Sequence, residues 1–161
     1  MPPTSDPTQD SPFPAIAEAL IKDVEAAVPA LRSISQSRAE RPRAAGKWSP
    51  KQVIGHLIDS AANNHQRFIR AQESESYAGP GYTQDHWVSV QGYQDAPWDD
   101  IITLWHAYNR HLAHVNARIP EAQRGTMCTI GAYAPATLGY IASDYVHHLR
   151  HHVAQAVALP E

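Results

Sequence analysis

The stretch WDDIITLWHAYNRHLAHVNARI, residues 98–119, decides the fold of this chain. Its large apolar side chains recur in alternating steps of three and four residues, which is the spacing of a seam along one side of a bundled α-helix. The seam consists of Trp98, Ile101, Trp105, Tyr108, Leu112, Val115 and Ile119. Pro120 ends this helix. Three histidines lie outside the seam, and we expect them in solvent without a metal role: His106, His111 and His114.

The helix before it has a strong start signal in WSPKQV, residues 48–53. Ser49 can cap the helix, and Gln52 three residues later completes a capping box. Pro50 suits the first turn. We expect this helix to run to about residue 71, with an apolar face made of Val53, Leu57, Ala61, Asn64 and Phe68.

A polar ridge follows the edge of that apolar face. It consists of His56, Ser60, Asn63 and Arg67, which recur at three- and four-residue steps. Such a ridge beside a core is a common place for a site between bundle helices. A lone histidine at this edge is more often structural, so His56 gains weight as a ligand only if other ligands face it.

Two further helices complete the set. Residues 14–31 carry apolar residues on one face, and residues 137–159 begin with the capping residue Thr137. Four helices, no convincing strand pattern and no internal repeat predict an all-α four-helix bundle over residues 14–159, as a single domain. Residues 1–13, rich in Pro, Ser, Thr and Asp, are predicted to be a flexible tail. The state of residues 121–136 is left open.

The long connections leave the order of the helices in the bundle undetermined. Residues 72–97 form the longest of them, and a loop of this length is uncommon in a compact domain unless it has a function. Its larger side chains, Tyr82, His86, Trp87 and Tyr93, would be placed to cover a pocket. The alternative is that they pack over one end of the bundle, which suits Trp87 better than His86.

Four histidines fall within six residues of the last helix, in the stretch DYVHHLRHHVAQ, residues 144–155. They make two pairs four residues apart, and each pair lies on one helix face and can hold a metal ion. With Leu149 at the centre of the apolar stripe, His152 lies about 60° away and His148 about 100° away. The pair His147 and His151 points to solvent. We therefore expect His148 and His152 to be ligands; the alternative is that all four histidines are solvated.

Charge and composition exclude several classes of function. The net charge of −3 does not favour a nucleic acid or an anionic membrane as partner, and no apolar run is long enough to span a bilayer. The single Cys128 cannot form an intramolecular disulfide, and the N-terminus does not read as a secretory signal. We expect a cytoplasmic protein. The chain lacks a glycine-rich phosphate loop, a Cys-x-x-Cys motif and a serine nucleophile elbow.

In order along the chain, Trp48-Ser49-Pro50, GHLIDS at residues 55–60 and HLRHHVAQ at residues 148–155 resemble the DinB/YfiT-like superfamily. The likeness covers residues 14–159. It implies a four-helix bundle, often dimeric, in which one histidine of the second helix and a His-x-x-x-His pair of the last helix bind one divalent metal. In this chain those positions are His56, His148 and His152. A homodimer and a small-molecule substrate are further expectations from the resemblance.

Three imidazoles and one open position are typical of a catalytic zinc site. Nitrogen ligands also suit nickel, iron or copper, and we expect zinc or nickel. Candidate supporting or pocket residues are Ser60, Asn63, Arg67, His86, Asp144 and Gln155.

The resemblance implies a metal-dependent enzyme, either a hydrolase of small molecules or an S-transferase using a low-molecular-weight thiol. No obvious general-base carboxylate accompanies the ligands, because Asp59 is predicted on another side of its helix. The first alternative is a non-catalytic bundle that binds metal or a small ligand in a stress response. The second is an interaction module whose histidines are all on the surface.

Overall fold

Four long helices form the body of the protein. The computed structural model describes residues 11–158, and in that part of the chain the helices are α1 (Phe13–Arg32), α2 (Gln36–Ala39), α3 (Pro50–Arg70), α4 (Gln84–Val90), α5 (Trp98–Ala117) and α6 (Leu138–Val157). The predicted four-helix bundle is confirmed, with α1, α3, α5 and α6 as its members. The predicted tail lies mostly outside the described residues, although Phe13 is fully buried and begins α1.

The first two long helices of the chain, α1 and α3, are not neighbours in the bundle. Helix α1 packs against α5 and α6, and α3 packs against the same two helices. Helices α1 and α3 therefore face each other diagonally, which explains the long connection between them. The pair α3 and α6 lies side by side, and these two helices carry the candidate ligands.

Local signals fix where the helices begin. Ser49 Oγ accepts a hydrogen bond from Gln52 N at 3.3 Å, and Gln52 Oε1 accepts one from Ser49 N at 2.9 Å, so the predicted capping box is present. Thr137 Oγ1 likewise accepts a hydrogen bond from Tyr140 N at 3.2 Å and caps α6. These bonds satisfy amides that the helix itself leaves unpaired.

The seam of α5 faces the core as predicted. The helix buries four of the seam residues and half-buries Tyr108 and Val115; the buried four are Trp98, Ile101, Trp105 and Leu112. Ile119, two residues after the end of α5, is buried as well. Two polar residues that the apolar pattern did not mark, Asn109 and Asn116, are buried beside the seam. Of the histidines outside it, His111 and His114 are exposed, and His106 Nε2 lies 2.9 Å from Glu25 Oε1.

A small sheet corrects the expectation that the chain contains no strand. Strands β1 (Ser76–Gly79), β2 (Met127–Ile130) and β3 (Ala136–Thr137) lie in the order β1-β2-β3. Strands β1 and β2 are parallel, with Tyr77 opposite Cys128, and β2 and β3 are antiparallel. Strands of two to four residues are too short to show a reliable alternation of apolar and polar residues.

The connection at residues 72–97 is not a structureless loop. It contains β1, α4 and a 3-10 turn at Tyr93–Asp95, and both α4 and the turn pack on α3. The Tyr93 ring lies against Gly55, where an added Cβ would come 2.2 Å from the ring. The Tyr93 hydroxyl donates to Asp59 Oδ1 at 2.7 Å, so Asp59 is buried under this segment.

Among residues 11–158, none of the helices combines the length and the apolar character that a membrane-spanning helix needs.

Candidate metal centre

Three imidazoles from two helices converge on one point. His56 comes from α3, and His148 and His152 come from successive turns of α6. One nitrogen from each ring lies within 4.8 Å of the others. The ring centroids are 5.1 Å apart for His56 and His148, 4.8 Å for His56 and His152, and 4.5 Å for His148 and His152. The structure therefore brings together the three histidines selected from the sequence.

The outward pair on α6 also lies where the rotation argument puts it. His147 and His151 are exposed, whereas His148 and His152 are half-buried and His56 is fully buried. The helix pitch makes this separation, because residues one position apart are turned by about 100°.

The spacing of the nitrogens fits a divalent metal. His56 Nε2 and His148 Nε2 are 3.2 Å apart. Two nitrogens bound about 2.0–2.1 Å from one tetrahedral ion would be about 3.3 Å apart. The His152 nitrogen, within 4.8 Å of the other two, needs a small ring movement to complete the set. The described residues thus supply three nitrogen ligands in a geometry that can hold one ion.

The electrostatics of the cluster keep the rings unprotonated. Burial and, to a smaller extent, the neighbouring His148 and His152 lower the pKa of His56 to about 3. Burial and the adjacent histidines bring the pKa of His148 to about 4, and burial also lowers the pKa of His152. A histidine binds a metal through a neutral imidazole. At neutral pH the three rings are therefore ready to act as ligands.

Gln155 sets the tautomer of His152. His152 Nδ1 donates to Gln155 Oε1 at 2.8 Å, which leaves Nε2 of the same ring free for an ion. Gln155 Nε2 in turn donates to His151 Nε2 at 3.0 Å, so the exposed histidine holds the amide in place. Gln155 was expected as a supporting residue, and its position matches that role.

The other two rings are held differently. Ser60 Oγ lies 3.5 Å from His148 Nδ1, at the limit of a hydrogen bond. His56 Nδ1 is buried and has no hydrogen-bond partner among residues 11–158. The Trp48 ring lies 5.1 Å from the His56 ring, centroid to centroid. The Nδ1 side of His56 is therefore held by packing, whereas its Nε2 faces His148 Nε2.

Two of the expected pocket residues lie away from the centre. The Asn63 amide donates to Asp59 O at 2.9 Å, four residues earlier in its own helix, so it turns back to the backbone. His86 is exposed on α4, because the face of α4 that packs inward carries Val88. Within the described chain, His86 makes no hydrogen bond or ring contact with the three histidines. Neither Asn63 nor His86 lines the cavity that includes His148.

A cavity of about 440 Å³ opens beside the cluster. Ser60 and His148 belong to its wall and connect it to the three histidines. Arg67 and Asp144, both expected near the site, also line it, as does Tyr82 from the connecting segment. The far wall comes from the sheet and the turn after β2, which the sequence pattern did not mark: Cys128, Ile130, Tyr133, Ala134 and Ala136.

Comparison with known protein families shows to which family the chain belongs. The model of the DinB superfamily matches residues 17–156. The chain belongs to the DinB superfamily. It is similar to the "Putative metal-dependent hydrolase YfiT" of Bacillus subtilis (strain 168), with 26% identity over 136 residues, covering 81% of this chain and 74% of the relative. A "Putative metal-dependent hydrolase" of Oceanobacillus iheyensis is 22% identical over 124 residues, covering 77% of this chain and 71% of the relative.

The solved structure of YfiT shares the fold of this DinB superfamily member. It superposes with a TM-score of 0.77 at 21% identity, covering 97% of this chain and 87% of the other. YfiT is described as "a probable metal-dependent hydrolase with an unusual four-helix bundle topology". At this identity the likeness is evidence for the fold, and the chemistry has to be argued from the site.

The chemistry available at this site follows from its donors. A divalent ion held by these three imidazoles, with one open position, would lower the pKa of a bound water molecule or polarise a carbonyl group. The protein's own residues hold the ligands neutral, fix the His152 ring through Gln155, and shape the cavity beside His148. The buried Asp59 accepts hydrogen bonds from Tyr93 and Gln91 through Oδ1, which tie this carboxylate to the segment after β1.

Proposed function

We propose that this DinB superfamily protein is a metal-dependent hydrolase acting on a small molecule. The observation that carries the proposal is the convergence of His56, His148 and His152, with His56 Nε2 and His148 Nε2 3.2 Å apart, beside a cavity. The names of the relatives support hydrolysis as the reaction class. We propose zinc or nickel as the ion; three nitrogen ligands suit both of these metals, as they also suit iron and copper.

The cavity favours a catalytic over a purely structural role for the ion. A structural zinc site is closed by four protein ligands, whereas a catalytic site has three and an open position. Among the described residues, three ligands converge here, and the wall of a 440 Å³ cavity includes His148. That volume is in the range of small-molecule sites.

Metal content tests the ligand set first. The purified protein should hold one equivalent of zinc or nickel, and His56→Ala, His148→Ala and His152→Ala should each abolish it. The matched control is His147→Ala, which removes an exposed histidine of the same helix. Retention of a full equivalent by all three ligand variants would refute the site.

Turnover then separates the reaction classes. Metal-loaded and metal-free protein are compared on 4-nitrophenyl esters and on anilides, with and without a low-molecular-weight thiol. Turnover that needs metal but no added thiol supports a hydrolase. Turnover that needs the thiol shows that the protein is an S-transferase, which the same donors would also suit. Full metal occupancy without turnover of any of these substrates would favour a non-catalytic metal-binding bundle.

A further inference from the structure

The cavity beside the histidines carries a cation that no carboxylate neutralises. Arg67 lines the cavity and lies on α3, seven residues after Ser60. Within residues 11–158 the Arg67 guanidinium forms no ion pair, and its hydrogen bond runs from Nη1 to Asn64 Oδ1 at 3.3 Å. A guanidinium has five N–H donors, so most of its donors are left for another partner.

The surroundings of Arg67 make this charge unusual. Its side chain is half-buried, and the ionisable groups that interact with it are the phenols Tyr77, Tyr82 and Tyr133 and the thiol Cys128. Phenols and thiols are neutral when protonated, and burial raises the pKa of Tyr82 to about 12 and also raises that of Cys128. A desolvated charge with only neutral neighbours is costly, and a bound anion would remove that cost.

No other charged group of the described cavity wall neutralises Arg67. Among the described residues that line it, Asp144 is the one carboxylate, and it is exposed and not paired with Arg67. The described wall contains no lysine and no second arginine, and its one histidine, His148, is a candidate metal ligand. Arg67 is therefore the one permanent cation of the described cavity wall.

We propose that this cavity binds a substrate with a carboxylate at one end, which Arg67 receives while the other end faces the three histidines. A planar guanidinium can bind a carboxylate through two parallel hydrogen bonds. The proposal rests on the proposed hydrolase function for the reacting end, and it adds the class of substrate.

The position of Arg67 on α3 limits the length of that substrate. Seven residues of α-helix rise about 10.5 Å, and Ser60, at the near end of this interval, contacts His148. The Arg67 guanidinium turns back along the helix to Asn64, so we expect the carboxylate and the reacting bond to be about 10 Å apart or less, at most roughly the span of three extended peptide units. Smaller anions such as acetate would reach one end only.

Binding tests the proposal without any need for turnover. Suberate, an eight-carbon dicarboxylate, and octanoate, which lacks the second carboxylate, are titrated calorimetrically into the zinc-loaded protein. Both can present one carboxylate to the ion, and only suberate can also reach Arg67. We expect suberate to bind about 10- to 100-fold more tightly, the usual range for a charge-assisted hydrogen-bonded pair.

Three variants assign the preference to Arg67. The ratio of suberate to octanoate affinity should fall to near one in Arg67→Gln and to an intermediate value in Arg67→Lys, which keeps the charge and loses the planar fork. The matched control is Arg70→Gln, one turn further along α3, because Arg70 is exposed and bonds to Gln66. The lysine variant keeps the test valid if the glutamine variant folds poorly. Equal binding of the two probes by the natural chain, or an unchanged ratio in Arg67→Gln, would overturn the proposal.

A kinetic arm distinguishes this proposal from the proposed function. The 4-nitrophenyl half-ester of suberate is compared with 4-nitrophenyl octanoate; in each, water adds to the acyl carbon, the ester C–O bond breaks, and acid and 4-nitrophenol leave. Hydrolysis of neither ester, with suberate still preferred in the calorimeter, refutes the hydrolase and leaves the carboxylate site standing. Equal hydrolysis of both esters, together with equal binding of the two acids, refutes the carboxylate site alone.

Discussion

Replacing Gln155 with alanine should weaken metal binding without touching a ligand. The His152 Nδ1 proton is donated to Gln155 Oε1 at 2.8 Å, and this bond fixes which nitrogen of the ring is free for the ion. Loss of a hydrogen-bond partner behind a metal ligand typically costs 10- to 100-fold in affinity. We therefore expect Gln155→Ala to raise the zinc Kd by about 10- to 100-fold, which corresponds to about 1.4–2.8 kcal/mol.

The assay is competition for zinc against a chromophoric chelator at pH 7.5. Gln155→Glu serves as the conservative variant, because a carboxylate also accepts the His152 Nδ1 proton and should hold the affinity near that of the natural chain or above it. Gln66→Ala is the matched control, since Gln66 is exposed on α3 and bonds to Arg70. An unchanged Kd in Gln155→Ala would show that the bond does not set the ring, and the positioning role would have to be given up.

Three further outcomes can be measured on the metal-free protein. The pKa values of His56 and His148 in the folded chain are about 3 and 4, below the ordinary 6.5, so the unfolded chain binds protons more readily. The free energy of unfolding should therefore be highest above about pH 6.5 and should fall as the pH drops towards 4. Each buried histidine contributes up to about 1.4 kcal/mol per pH unit to this fall. Urea unfolding at pH 7.5, 6 and 5 should show this fall, and a flat profile would contradict it. Gly55→Ala should destabilise the fold by about 1–3 kcal/mol, because the new Cβ would overlap the Tyr93 ring. A thermal midpoint equal to that of the natural chain would argue against this contact. Thr137→Ala should cost about 1 kcal/mol through loss of the α6 cap, and a cost below the error of urea titration would show that the cap is dispensable.

The helices and their ends could be predicted because their signals are local. The seam of residues 98–119, the capping box at Ser49 and the cap at Thr137 each depend on residues within one or two turns of each other. The choice of His148 and His152 over the outward pair also needed nothing beyond the helix pitch and the apolar stripe.

The rest of the site depends on contacts between distant parts of the chain. Strand β1 pairs with β2 about 50 residues later, and neither segment has an apolar run long enough to predict it. The same pairing brings Cys128 and Tyr133 to the cavity wall, and no local pattern indicated that. Asp59 was expected on another side of α3, and its burial follows from Tyr93, 34 residues away. His86 could not be excluded from the sequence, because the side of α4 that packs inward is set by tertiary contacts.

The convergence of the three histidines on one ion can be measured directly by X-ray absorption spectroscopy of the zinc-loaded protein, with His56→Ala beside it. We expect a shell of four nitrogen or oxygen atoms at about 2.0–2.1 Å in the natural chain, with multiple scattering from three imidazoles, and one imidazole fewer at any zinc that His56→Ala retains. A spectrum with one imidazole or none, or the same spectrum from the variant at full occupancy, would contradict the shared site.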